Sequence, residues 1–464
     1  MIYQNEDQLK EGCQSILDWR EGDVRILDER GFQGELIDDL IYTAVFSPDS
    51  AIQEVAAFLI RRGAARLGII PASIQSLYEA MGKGEVSGFT VPAINIRGLT
   101  YDVAQAVFRA AKKGDAGPVI FEIARSEIGY TRQRPLEYAC AVLAAAIKTG
   151  WRGPVFLQGD HFQINAKRFA AEGERETQAV RDLIREAILA SFYNIDIDTS
   201  TLVDLSHPTI KDQQRMNFTL AAELTALIRD LEPDGITVSV GGEIGEVGGK
   251  NSTVEELQAF MDGYLEELER RGPTLKGISK ISVQTGTTHG GVPLADGTVA
   301  KVKIDFEVLQ KLSETARARY GLAGAVQHGA STLPDEAFDR FPATQTAEIH
   351  LATGFQNIIY DSKSFPGRLR AKVYDHLRSE LKGEWKEKDT EEQFIYKTRK
   401  KGFGPFKQEL WELPADVRDE ICAELEGKFA FLFDKLKING TRQLLDRFVK
   451  PVDVPLERPA ALKG

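Results

Sequence analysis

One alternation, repeated through the middle of the chain, constrains the fold more than any other feature. A short run rich in Val, Ile and Phe gives way to a polar turn and then to a segment of helical period. The strand-like runs fall at 90–96, 118–123, 154–158, 193–198, 236–243, 278–285, 322–327 and 355–361. Helical segments fall between them at 101–113, 136–149, 173–190, 209–230, 253–271, 305–318 and 344–353. Strands that alternate with helices run parallel, because each helix carries the chain back across the sheet. Eight such units in about 270 residues fit a closed (β/α)8 TIM barrel better than an open sheet. An open dinucleotide-binding sheet would place GxGxxG after its first strand, and Asn95-Ile96-Arg97-Gly98-Leu99 is not that pattern. The expected organisation is an α/β barrel over 86–365, with helical extensions at 1–85 and 366–464.

Composition narrows the function classes. The 464 residues are 42% hydrophobic and 27% charged, an ordinary globular balance able to bury a large core. A formal net charge of −11 argues against broad nucleic-acid binding, although a few local amides could still hold a phosphate. Cys13, Cys140 and Cys422 are far apart and form no CxxC pair, which excludes a disulfide framework or thiolate metal site and favours a reducing compartment. The segment Met1-Ile2-Tyr3-Gln4-Asn5-Glu6-Asp7 lacks the regions of a signal peptide, and no apolar run approaches the roughly 20 residues that cross a bilayer. A cytoplasmic protein without membrane partners is expected.

Three of the six histidines sit just past a strand-like run: His161, His289 and His328. In a barrel the C-terminal strand ends converge on one face. Three imidazoles meeting there would hold one metal ion and leave a position open, the make-up of a catalytic zinc site. The other three, His207, His350 and His376, are expected in a loop or helices, without a catalytic part. Carboxylates join at the same face: Asp160 before His161, Asp196 and Asp198 on one face of the fourth strand, Glu243 ending the fifth, and Asp361 ending the eighth. Glycines follow His289 (Gly290-Gly291) and His328 (Gly329), where backbone amides could approach a phosphate.

The order of these motifs resembles the class II, metal-dependent fructose-bisphosphate and ketose-bisphosphate aldolases. The resemblance rests on Pro92-Ala93-Ile94-Asn95, Gly159-Asp160-His161, Asp198-Thr199-Ser200, Glu243-Ile244-Gly245 with Gly248-Gly249, Gly286-Thr287-Thr288-His289-Gly290 and His328-Gly329-Ala330-Ser331, in family order through residues 72–365. It implies that His161, His289 and His328 hold a zinc ion, with Glu243 as an alternate ligand or supporting carboxylate and Asp198 at a possible second cation. It implies Asp160 as the proton donor and acceptor, and Asn95, Gly290, Gly329, Ser331, Asp361 and Ser362 around a phosphorylated ketose. The implied activity is reversible cleavage of fructose 1,6-bisphosphate, with tagatose bisphosphate or another phosphorylated ketose as the alternative substrate and a noncatalytic sugar-phosphate-binding paralogue as the alternative class. A homo-oligomer, at least a dimer, is expected to use the helical extensions.

The sequence also departs from that family. Ala124 stands where a serine ends the second strand, and Ala330 and Thr332 replace loop glycines. Asn357, Ile359 and Asp361 take the places of the eighth-strand Lys-x-Asn-x-Asp/Asn. Lys400-Lys401-Gly402-Phe403-Gly404-Pro405-Phe406 resembles a C-terminal Lys-Lys-x-x-Asp-Pro-Arg without its arginine.

Overall fold

A computed structural model of the chain describes residues 2–19, 23–245, 250–286, 294 and 304–462. Eight parallel strands form the centre: β1 (Val91–Asn95), β2 (Ile120–Ala124), β3 (Gly153–Gln163), β4 (Asn194–Asp198), β5 (Ser239–Glu243), β6 (Lys280–Val283), β7 (Ala325–Gln327) and β8 (Glu348–Leu351). Each pairs with its neighbours in chain order, and β8 returns to β1, so the sheet closes. Helices follow the strands: α1 (Thr100–Gly114), α2 (Pro135–Lys148), α3 (Ala166–Leu189), α4 (Ile210–Leu231), α5 (Val254–Arg271), α6 (Phe306–Tyr320), the single turn α7 (Arg340–Ala343) and α8 (Thr353–Asp361). The protein is therefore a (β/α)8 barrel. No described helix is long and apolar enough to cross a membrane.

Local chemistry sets the helix bounds. Asn165, Thr209, Thr253 and Asp305 each accept a backbone N–H at the start of α3, α4, α5 and α6, and Thr253 with Glu256 forms a reciprocal capping box. The helix Gln75–Gly82 precedes β1, and the strand Ile69–Pro71 pairs in parallel with the first residues of β3, Gly153 to Val155. The long helix Ala415–Lys435 of the C-terminal segment packs on α1. The three cysteines are buried free thiols.

The eighth unit lies elsewhere than the sequence pattern placed it. Residues 344–353, read as a helix, contain β8, and 355–361, read as a strand, lie in α8. In β8, Glu348 and His350 alternate with Ile349 and Leu351, so charged residues face the barrel axis and disguise a fully buried strand. In α8, Phe355, Ile359 and Tyr360 are buried at helical spacing. Asn357, Ile359 and Asp361 therefore stand in α8 and not on the eighth strand.

The lower barrel is also unusual, being filled by charge rather than by branched aliphatic layers. Lys280, 1% exposed, donates from Nζ to Gln158 Oε1 (2.8 Å), Asp196 Oδ2 (3.0 Å) and Glu348 Oε1 (2.5 Å). Tyr78, from the helix that precedes β1, donates to the other oxygen of Glu348. Gln158 Nε2 donates to Glu122 Oε2 (3.1 Å) and Glu348 Oε1 (2.9 Å). Gly241 makes room for this network: a Cβ there would stand 2.3 Å from Asp196 Oδ1 and 2.9 Å from Lys280 Cε.

Candidate active site

The C-terminal strand ends surround a cavity of about 500 Å³. Asn95, Glu122, Asp160, His161, His328, Gly329, Ser331 and His350 line it, with Arg97, Arg125, Arg168 and Lys400 adding positive charge. Most of these side chains come from β1, β2, β3, β7 and β8 and the loops beyond them, while Arg168 lies in α3 and Lys400 in the C-terminal segment.

The register of β3 slips between Gly159 and Phe162 against β4. This irregularity holds His161 at φ 41, a left-handed conformation costly for a residue with a Cβ. It lets Asp160 and His161 both turn toward the mouth, which a regular pleat would forbid for neighbours. His161 Nδ1 hydrogen-bonds Asp198 Oδ2 (2.9 Å) and lies 3.1 Å from Glu243 Oε2. His328 Nε2 hydrogen-bonds Asp160 Oδ1 (3.3 Å). The ring of His328 lies between those of His161 and His350, at centroid distances of 4.1 and 4.0 Å and tilted by 35° and 46°.

Electrostatics differ sharply over these few ångströms. Burial opposes ionisation of Asp160, but the charges of His161 and His350 and the bond from His328 hold it well below the usual carboxylate range. Burial and the neighbouring His350 and His161 keep His328 well below the ordinary imidazole value, which favours the neutral ring, the form that binds a metal ion. Burial disfavours a charged His161, yet Asp160 and Glu243 push it well up. Burial and Asp198 push Glu243 up to about 7, whereas hydrogen bonds from His161, Ser200 and Gln163 overcome burial and hold Asp198 at about 2.

Donor spacing fits a metal ion. Two ligands bonded at about 2.0–2.1 Å, separated by octahedral or tetrahedral angles, stand about 2.8–3.4 Å apart. His161 Nδ1, Asp198 and Glu243 meet that spacing, and His328 Nε2 meets it with Asp160. Asp160, His161 and His328 form one group of mutually close donors, and His161, Asp198 and Glu243 another. All are nitrogen or carboxylate oxygen, the set that suits zinc and similar divalent ions.

The structure therefore brings Asn95, Asp160, His161, Asp198, Glu243, His328, Gly329 and Ser331 to one end of the barrel. Ser331 Oγ accepts the Gly354 N–H (3.1 Å), and Gly329 takes φ 68. His289 and Gly290 lie outside the described residues. Asp361 and Ser362 are not at the cavity. They follow from the misplaced eighth strand: Asp361 closes α8 and pairs with Arg399 (2.6 Å), and Ser362 Oγ donates to Glu424 (2.6 Å).

Sequence reasoning missed His350, expected in a helix, and Glu122. Both line the cavity. The alternation Glu348-Ile349-His350-Leu351 was the available signal for the first. The glutamate inside Val119-Ile120-Phe121-Glu122-Ile123 was the signal for the second, since an acid in an apolar strand has to meet a partner.

A barrel with a histidine–carboxylate cluster at the C-terminal mouth is the architecture of a metal-assisted enzyme. Residues 75–401 match the family Fructose-bisphosphate aldolase class-II, and the chain belongs to that family of carbon–carbon lyases. No curated protein matches the sequence significantly. Among solved structures, the chain is similar to a probable tagatose 6 phosphate kinase from Sinorhizobium meliloti 1021 (18% identity, 77% of this chain and 90% of that one, TM-score 0.53). It is also similar to the YdjI aldolase from Escherichia coli K12 (15%, 80% and 100%, 0.46) and to fructose-bisphosphate aldolase from Campylobacter jejuni (16%, 80% and 96%, 0.47).

Proposed function

We propose that the protein is a zinc-dependent aldolase that reversibly cleaves fructose 1,6-bisphosphate into dihydroxyacetone phosphate and glyceraldehyde 3-phosphate. The observation that carries this reading is the meeting of His161 and His328 around Asp160, with Asp198 and Glu243 behind His161. His161 and His328 would hold the ion, and His289, outside the described residues, would supply a third imidazole. A bound zinc ion would polarise the ketone oxygen as a Lewis acid and stabilise the negative charge that develops there.

The chain's own groups do the rest. Asp160, ionised and beside the imidazoles, takes the proton from the hydroxyl of the cleaved carbon and returns it in synthesis. Its Oδ1 faces His328, which fixes the carboxylate so that Oδ2 can address substrate. Asn95 Oδ1, enclosed and without a hydrogen-bond partner among the described residues, offers an acceptor to a sugar hydroxyl. Gly329 and Ser331 would receive the phosphate of the dihydroxyacetone half. Lys400 and Arg168 give the cavity rim the charge for a second phosphate. Lys280 is enclosed below the cavity and already bound to two carboxylates, so it is not placed for Schiff-base chemistry.

The test is turnover of the purified protein on fructose and tagatose bisphosphates, with and without chelator. Fructose 1,6-bisphosphate should be the better substrate, chelation should abolish cleavage, and zinc should restore it. Full activity in a metal-free preparation, or preference for the tagatose ester, would overturn the assignment.

A further inference from the structure

The barrel mouth holds a second group of converging donors around Asp160, which includes His350 and not His161. Glu122 on β2, Asp160 on β3 and His350 on β8 bring one donor atom each into a common space. His350 Nδ1 is 2.9 Å from Glu122 Oε2 and 3.3 Å from Asp160 Oδ1. These are the edge lengths of a coordination shell with bonds of about 2.1 Å. They are ion-pair distances as well: His350, only 4% exposed, is set among the carboxylates of Glu122, Asp160 and Glu348, although neither ring nitrogen makes a hydrogen bond of good angle with them.

Two further observations point to a ligand in this space. Glu122 Oε1, on a side chain 1% exposed, has no hydrogen-bond partner among the described residues. Asn95 stands directly opposite Glu122 across the β1–β2 pair, and its Oδ1 is likewise without one. A buried carboxylate oxygen left without a donor costs several times what an ordinary hydrogen bond returns, so such atoms usually face an ion, a water or a substrate.

A neighbouring cluster shows the contrast. Asp196, Glu348 and His350 also converge, but the ammonium of Lys280 already occupies that space, donating to both carboxylates. The Lys280 ammonium is engaged by Gln158, Asp196 and Glu348, and Arg97 is turned to Glu127 (2.8 Å). The upper cluster holds its two carboxylates against His350, with no lysine or arginine donating between them among the described residues, and it opens to the cavity.

We propose that Glu122, Asp160 and His350, with Asn95 Oδ1 in reach, form a second divalent-cation site beside the histidine centre. The donor set is one imidazole and otherwise oxygen, which suits Mn²⁺ or Zn²⁺ and disfavours soft ions. Asp160 stands between the two centres, its Oδ1 3.3 Å from His328 Nε2 on one side and 3.3 Å from His350 Nδ1 on the other. The inference rests on donor geometry and not on the substrate assignment.

The experiment is titration of the metal-stripped full-length chain with Mn²⁺, followed by calorimetry and by electron paramagnetic resonance. Wild type should bind two ions per chain, with magnetic coupling at full loading because one carboxylate joins the sites. Glu122→Gln and, separately, His350→Gln should bind one ion and lose the coupling. His161→Ala should keep the ion that Glu122→Gln loses. Wild type that binds a single ion overturns the proposal without any variant. If that ion is lost in His161→Ala and kept in Glu122→Gln, the catalytic reading survives and only this one fails. A wild-type chain that binds no divalent ion overturns both.

Discussion

Replacing Lys280 by Met tests whether the charged barrel interior is held by compensation. The side chain is 1% exposed, and its ammonium neutralises Asp196 and Glu348 while donating to Gln158. Met keeps the length and the methylenes but deletes three hydrogen bonds and the positive charge. Breaking a buried ion pair from one side costs about 3–5 kcal/mol, because the surviving carboxylates stay enclosed. His350 Nε2, 2.7 Å from Glu348 Oε1, offsets part of that loss, which places the expected value near ~3 kcal/mol. The assay is urea unfolding of wild type, Lys280→Met and the double variant Lys280→Met/Glu348→Gln at pH 7.5. The double variant removes one of the stranded charges and should recover about half of the loss. A single variant within about 0.5 kcal/mol of wild type, or a double variant less stable than the single one, would refute the compensation argument.

Asp160→Asn should lower turnover about 100- to 10,000-fold while zinc stays bound on the His161 side, whereas His161→Ala should lose that zinc and activity together; metal stoichiometry and turnover on the same preparations separate the two roles. Asp102, in α1, is pushed up to about 6, chiefly by burial and against the pull of Arg418. A folded-state value above the unfolded one means that the native chain binds this proton more tightly. Stability therefore falls as pH rises from about 4 to about 6, and Asp102→Asn should gain roughly 1–3 kcal/mol at pH 7.5 and nothing near pH 4, as read from paired denaturation curves. The helical segments 1–85 and 366–464 are proposed to build a homo-oligomer, at least a dimer; light scattering at micromolar concentration should show it, and a monodisperse monomer would count against it.

The sequence by itself determined the barrel, because alternating apolar runs and amphipathic segments admit few other closed arrangements. It also marked Asp160, His161 and His328, since a histidine or acid directly beyond a strand must lie on the one face where the strand ends meet. The cap residues Asn165, Thr209, Thr253 and Asp305 could likewise be read locally, as each acts on its own helix. Tertiary structure alone decided the eighth strand. Its inward residues Glu348 and His350 are polar, so the usual rule that buried strands look apolar fails there. Burial of those side chains becomes tolerable only once Lys280, Gln158 and Tyr78 arrive from distant parts of the chain to satisfy them. The same holds for Glu122 and His350 at the mouth. Their partners are fixed by the strand register and by the slip at His161, both three-dimensional properties, and no spacing along the chain encodes the distances of about 3 Å on which their chemistry depends.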